Sequence, residues 1–278
     1  MPRVYTPPLG NTQLSVGDTL GEAWQVLTTN YGMLLGASLL TFILPFLAAL
    51  VGAFIPIVGG FVSYFVQFPL MCGMVLLSVH LARGPQPTFD TLFLGFKRYW
   101  PAMGVGALKV VAMILPAVIY IIGGAGLAGC IIALNTSSAN PALLIGGIVL
   151  SSMVLCAGIL VSTFVFLRLV LADGLVIDTH ADLPGPVDAI KASWMLTRPV
   201  IWPLVGIALC MLGISLLCTI ALILPVIFIA APYWYAVIGV IYTRIVGELD
   251  PLTCRQCAYD LRGTTAPVCP ECGMARPA

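Results

Sequence analysis

From Tyr31 onward the chain is built of long apolar stretches separated by short polar or charged segments. The stretches run 20 residues or more, the helical length that crosses about 30 Å of hydrocarbon. They lack the period-two alternation of a membrane barrel, and a spanning backbone must satisfy its hydrogen bonds internally, so helices are the remaining solution. Turn and charge signals divide them into six predicted spans, Tyr31 to Ile55, Ile57 to Leu81, Ala102 to Leu134, Ala142 to Leu171, Val200 to Ala221, and Pro225 to Val246. The expected fold is all-α integral membrane. The last division is the tightest: Ile201 to Val246 must hold two helices and a turn, which predicts a short or re-entrant fifth helix.

Composition agrees with that division. The 278 residues are 60% hydrophobic and 8% charged, against about 25% charged in a soluble domain. A net charge of +1 is too small to draw the chain to nucleic acid or anionic lipid. Met1 to Val16 carries only Arg3 as a charge, without the charged start and early apolar core of a cleaved signal peptide. Residues 1–14 are expected to form a disordered cytosolic tail, residues 15–250 the membrane domain, and residues 251–278 a separate small module.

The distribution of charge predicts topology. The connections around Pro56 to Gly60, Asn135 to Pro141 and Thr219 to Pro225 contain no charge. All twelve Lys and Arg lie instead in the N-terminal tail, in Arg83 to Lys109, in Arg168 to Arg198, or after Tyr242. By the positive-inside rule that side is cytosolic, which places both termini there, because an odd number of spans would put basic residues on both faces.

A short pattern occurs three times, ahead of the first, third and fifth spans. Asp18, Asp90 and Asp188 are each followed six residues later by a large ring, Trp24, Phe96 and Trp194. Thr-Leu, Thr-Leu and Ala-Ile follow the acid, and Ala23, Gly95 and Ser193 precede the ring. An acid in a first helical turn complements the positive dipole end. Leu20, Trp24 and Leu27 fall on one stripe, as do Leu92, Phe96 and Tyr99. The pattern therefore predicts three units, each an interfacial amphipathic helix leading into a hairpin of spans. Trp24, Tyr31, Tyr99, Trp100, Trp194 and Trp202 are expected at headgroup depth. These helices anchor the bundle or, alternatively, line a cytosolic vestibule or lipid-contact surface.

Arg168 to Trp202, with the residues "PVDAIKASWMLTRPVIW", resembles the signature region of the bacterial membrane domain fused to glycerophosphoryl diester phosphodiesterases and of related six-helix proteins. The resemblance covers about residues 15 to 250 and implies a multi-pass protein of the bacterial cytoplasmic membrane. In that family the phosphodiesterase chemistry belongs to a separate soluble domain. No segment here corresponds to it, since His80 and His180 are the only histidines and no cluster of acids accompanies them.

The tail holds Cys254-Arg-Gln-Cys257 and, after eleven intervening residues, Cys269-Pro-Glu-Cys272. Two such pairs at this separation form two turns whose thiolates converge on Zn²⁺. A cytosolic position keeps the thiols reduced, favouring metal over disulfides; iron in a rubredoxin-like site is the other metal alternative. So short a segment needs metal binding for much of its folding energy. It also resembles zinc ribbons appended to many bacterial proteins, particularly in planctomycetes, except that Ala258 stands where glycine usually follows the second cysteine. Arg255, Arg262 and Arg276 are nearly balanced by Asp260 and Glu271, so nucleic acid is a poor partner. A structural cap or a docking surface for a cytosolic or membrane protein fits better.

Within the spans the charge-bearing candidates are Lys109, Arg168, Arg244 and His80. Each reads as an interfacial anchor: Val110 to Leu134 spans without Lys109, and the arginines lie close enough to helix ends to snorkel. Cys72, Cys130, Cys156, Cys210 and Cys218 read as small packing residues without histidine or carboxylate neighbours. Gly32 and Gly36 make a G-x-x-x-G pair expected to mark close internal packing, and Pro45, Pro69, Pro116 and Pro232 are candidate kinks. With no Ser/His, paired-carboxylate or H-E-x-x-H constellation, the chain reads as a non-enzymatic membrane scaffold or adaptor with a zinc-ribbon docking module; the alternative is a transporter or lipid-handling protein.

Overall fold

The structure, a computed structural model, describes residues 14–52, 54, 59–84, 87–135, 141–178, 185–221 and 225–246. All regular secondary structure among these residues is helical. In chain order the helices are α1 (Val16–Thr29), α2 (Tyr31–Gly52), α3 (Gly59–Arg83), a 3₁₀ turn (Phe89–Phe93) running into α4 (Leu94–Lys97), α5 (Tyr99–Asn135), α6 (Pro141–Leu169), α7 (Ala172–Ile177), α8 (Pro186–Thr197), α9 (Ile201–Ala221), and a π-turn (Val226–Ala230) running into α10 (Ala231–Val246). Six segments are long and apolar enough to cross a membrane: α2, α3, α5, α6, α9 and α10 with its π-turn. The chain is thus read as a multi-pass membrane protein.

The six are not equivalent. In their most apolar 18-residue windows, α3 is 61% buried and α10 is 67% buried, whereas the others reach at most 28%. α3 and α10 are therefore the central pair, and α2, α5, α6 and α9 present broad apolar faces outward, as lipid contact requires. The central pair packs closely because Gly239 of α10 lies against the Ser78 carbonyl of α3, where a Cβ would collide.

This pair is wrapped by the short helices. α1 packs on α10, where the Tyr233 hydroxyl donates to the Leu20 carbonyl (2.9 Å) and Arg244 forms an ion pair with Glu22 (2.6 Å). The 3₁₀ turn and α4 lie along α3 at two glycine contacts: Gly73 against the Leu92 carbonyl and Gly95 against the Pro69 carbonyl. α7 fits between α3 and α8, with Gly174 beneath the Tyr242 ring. α8 closes on α5 and α6 through Pro186 over Gly104 and through Ser193, which donates to the Arg168 carbonyl at 2.7 Å.

The three repeated acids all lie in first turns, Asp18 in α1, Asp90 in the 3₁₀ turn and Asp188 in α8. Of the predicted stripes, Leu27 and Leu92 are buried and Leu20 packs against the core. Trp24, Phe96 and Trp194 are exposed, and a row of small residues is buried beside them: Thr19 and Ala23, Thr91 and Gly95, Ala189 and Ser193. The i, i+4 spacing of that row lets each short helix approach its neighbours at backbone distance, and the ring is carried to the outside. Trp100 and Trp202 are exposed as well.

Two further expectations change. α9 is a continuous helix of 21 residues; the tension between α9 and α10 is absorbed instead by the π-turn, which precedes Pro232. Close helix packing is not at Gly32, whose Cβ position is open, and Gly36 meets only the Phe89 ring. It lies between α5 and α6, where a Cβ on Gly123 would fall 2.5 Å from the Leu155 amide nitrogen and one on Gly158 would fall 2.8 Å from that of Tyr120.

Candidate functional site

α5 is 37 residues long, about 55 Å at 1.5 Å per residue, against 25 residues for α3. Where α5 diverges from α3 and α10, and α6 and α7 complete the wall, a cavity of about 450 Å³ remains. Its walls are almost wholly apolar. Met71 and Val75 of α3, Met113 and Ala117 of α5, and Ile238 of α10 contribute aliphatic surface. Phe166 of α6 and Trp234 of α10 contribute stacked rings with centroids 6.2 Å apart. The rim residues Val110, Ile114 and Phe166 are exposed on the outside of the bundle, so the cavity opens sideways onto the face that other apolar residues present to lipid.

One ion pair interrupts this apolar wall. Lys109 Nζ lies 2.6 Å from Asp173 Oδ2, and both side chains are mostly buried. Lys109 reaches the site because it stands on the inward face of α5, and Asp173 because the chain turns at Leu171 and restarts as α7 with the acid in its first turn. Asp173 Oδ1 faces the Cys72 thiol at 4.0 Å, and Gln67 and Tyr235 add polar groups to the lining. The Tyr235 hydroxyl contacts Met71 Sδ at 3.1 Å.

Three details of the sequence reading change: Lys109 is paired with Asp173, Cys72 has that same carboxylate as a neighbour, and Arg168 is buried. Lys109 is held by a carboxylate inside the bundle. Cys72 is a buried residue with a carboxylate neighbour. Arg168 does not snorkel: its residue exposure is 8%, and its guanidinium lies 5.0 Å from the Phe164 ring centroid and 5.3 Å from that of Trp194 while donating to the Trp194 carbonyl. Arg244 is anchored through Glu22 and Thr19, and His80 sits in the last turn of α3, half-buried.

Asp173 carries no motif, and its proximity to Lys109 follows from the turn between α6 and α7, which hydropathy does not mark. A second pair was equally hidden. Asp178, just after α7, accepts from the Tyr242 hydroxyl (2.9 Å) and lies 3.4 Å from Arg83, all three buried or nearly so. It ties α3, α7 and α10 together at the end of the central pair, away from the cavity lining.

The predicted metal ligands Cys254, Cys257, Cys269 and Cys272 lie outside the described residues, as does His180. Among the described residues no group of three His, Cys, Asp or Glu side chains could hold a metal ion. Comparison with family models, curated proteins and solved structures finds no match to this chain.

Proposed function

We propose that the membrane domain is a lipid-handling module that takes an amphiphile from the surrounding bilayer into the cavity between α3, α5, α6 and α10. The observation that carries this reading is the Lys109–Asp173 pair in an otherwise apolar, laterally open cavity. Ionisable groups are costly within a bundle and are kept where a polar group must be met. The volume is within the range of about 300–1,000 Å³ of small-molecule sites. The three acid-to-ring repeats support a domain of three helix-plus-hairpin units, and the resemblance of Arg168 to Trp202 supports the cytoplasmic membrane as its place, with both termini cytosolic. Single cysteines at Ser137 and Thr265 test that orientation in intact cells, the first modified from outside and the second protected.

A photoactivatable fatty alcohol, crosslinked to the purified protein in detergent micelles and mapped by mass spectrometry, tests the cavity. Labelling concentrated at Met71 and Met113, and removed by adding bulk at the lining residue Ala117 with Ala117→Trp, is the expected result. Equal labelling of the outer residues Val111 and Leu115, unchanged by Ala117→Trp, overturns the reading.

A second reading rests on a separate observation, the two Cys-x-x-Cys pairs of residues 254–272. As a zinc ribbon tethered close to the membrane surface they would dock a cytosolic or membrane protein, making the chain an adaptor. Crosslinking in native membranes, comparing wild type with a Cys269→Ser, Cys272→Ser variant at equal abundance, detects this as partners lost only in the variant.

A further inference from the structure

The apolar wall cannot select a ligand by its chain. A hydrocarbon tail leaving the bilayer for an apolar cavity exchanges one hydrocarbon environment for another, with little hydrophobic gain. Discrimination therefore rests on the polar groups of the cavity, and the most strongly polar of these are Lys109 and Asp173.

Their hydrogen-bonding capacity is only partly used. The Lys109 ammonium has three donors, and among the described residues Asp173 is its one hydrogen-bond partner. Asp173 gives one oxygen to Lys109, while the other has only the weak thiol donor of Cys72 at 4.0 Å. The pair thus presents a cation with spare donors beside an anion with spare acceptor sites, at zero net charge. A purely anionic head would gain Lys109 and meet repulsion from Asp173 a few ångströms away. A cationic head would meet the converse. A head that carries an anionic acceptor and an N–H donor on neighbouring atoms satisfies both.

We infer that the ligand is a phospholipid with a zwitterionic head group bearing a primary ammonium, its phosphate taken by Lys109 and its ammonium donating to Asp173. A quaternary ammonium has the same charge and no N–H to donate, so Asp173 distinguishes the two by hydrogen bonding. The chain lies along Met113, Ile114 and Ala117, and the lateral opening beside Val110 and Phe166 admits it. This assignment rests on the lipid-handling reading of the same cavity.

The test uses the full chain in detergent micelles, with the photoactivatable fatty alcohol as reporter and four competitors of one chain length: lysophosphatidylethanolamine, lysophosphatidylcholine, lysophosphatidylglycerol and monoacylglycerol. The ethanolamine lipid is expected to displace the reporter at a concentration about tenfold below the others, the value of one charge-assisted hydrogen bond. Asp173→Asn, which keeps an acceptor but loses its charge, is expected to narrow the gap between the ethanolamine and choline lipids while cavity labelling persists. Equal competition by all four in the wild type, or preference for the anionic glycerol lipid, overturns the head-group assignment and leaves the cavity reading intact. Absence of cavity labelling by the reporter itself overturns the cavity reading instead. Because the wild-type series decides by itself, a failure of Asp173→Asn to fold leaves the inference exposed to refutation.

Discussion

The Tyr31 hydroxyl at the start of α2 donates to the backbone carbonyl of Phe228 in the π-turn before α10, at 3.1 Å. In an α-helix that carbonyl would accept from the amide of residue 232, and Pro232 has no N–H. The chain accommodates the ring by widening into the π-turn Val226–Ala230, a common solution where a helix is interrupted. Tyr31 then satisfies the carbonyl from 197 residues away in sequence. The prediction is a double-mutant cycle. Tyr31→Phe should lower stability by about 1 kcal/mol in the wild type. In a Pro232→Ala background, which restores the amide, it should have a smaller effect. Unfolding in mixed micelles measures both; equal losses in the two backgrounds would separate Tyr31 from Pro232.

The glycine contacts between α3 and the segment wrapping it give a second prediction. A Cβ at Gly73 or Gly95 would collide with the backbone carbonyl of Leu92 or Pro69, and backbone in a packed helix cannot rotate aside as a side-chain tip can. Gly73→Ala and Gly95→Ala should each destabilise by about 1–3 kcal/mol. Gly124→Ala and Gly32→Ala, where a Cβ meets nothing within 4 Å, should be neutral or stabilising by up to about 1 kcal/mol, because alanine is the better helix former. Thermal aggregation midpoints in detergent rank the four. Loss at Gly32 as large as at Gly73 would restore the G-x-x-x-G reading.

What the sequence reveals depends on what kind of interaction places a residue. The six apolar segments are legible because each reports its own solvent, and their ends are recovered to within a few residues. The acid-to-ring repeat is legible as a pattern, and its buried face is legible only at the leucines Leu27 and Leu92. Thr19 and Ala23 are buried with Leu27, and the stripe of large residues does not point to them, because helix approach in a membrane rewards small side chains. The Lys109–Asp173 pair joins residues 64 apart, and the Arg83–Asp178–Tyr242 cluster joins three separate elements. Both depend on the turn after α6, which is set by tertiary packing. Local composition contains no trace of them.

The ion pair of the cavity also makes a stability prediction independent of any ligand. Lys109→Met leaves Asp173 as a mostly buried carboxylate facing apolar wall and a thiol. Removing one member of such a pair is more harmful than removing both, since the survivor keeps its desolvation penalty. Lys109→Met and Asp173→Leu should each lower stability by about 1–3 kcal/mol, and the double variant should recover a large part of that loss. Additive losses in chemical unfolding would show that the two side chains act separately.

Arg168 offers a test of geometry at constant charge. Its planar guanidinium lies against the perpendicular rings of Phe164 and Trp194 and reaches the Trp194 carbonyl at 3.3 Å. An ammonium cannot contact both rings as a planar fork does while keeping the same hydrogen bond. Arg168→Lys should cost about 1 kcal/mol and change the emission of Trp194, read against a background from which the other tryptophans have been replaced by phenylalanine. Unchanged emission and stability would mean that charge alone is what the position requires.

The tail makes the last prediction, because its chemistry is separable from that of the membrane domain. If Cys254, Cys257, Cys269 and Cys272 are the ligands, the purified chain should carry about one Zn²⁺, and replacing any one cysteine by serine should abolish stoichiometric metal rather than weaken it gradually. A segment this short has too little apolar surface to stay folded while binding is merely impaired. Elemental analysis gives the stoichiometry, and chelation should expose the tail to protease without shifting the unfolding of the membrane helices. Iron in place of zinc would show as a coloured protein with thiolate-to-iron absorption. Full protease resistance after chelation would mean that the tail folds by some means other than metal, and the docking-module reading would then need a different physical basis.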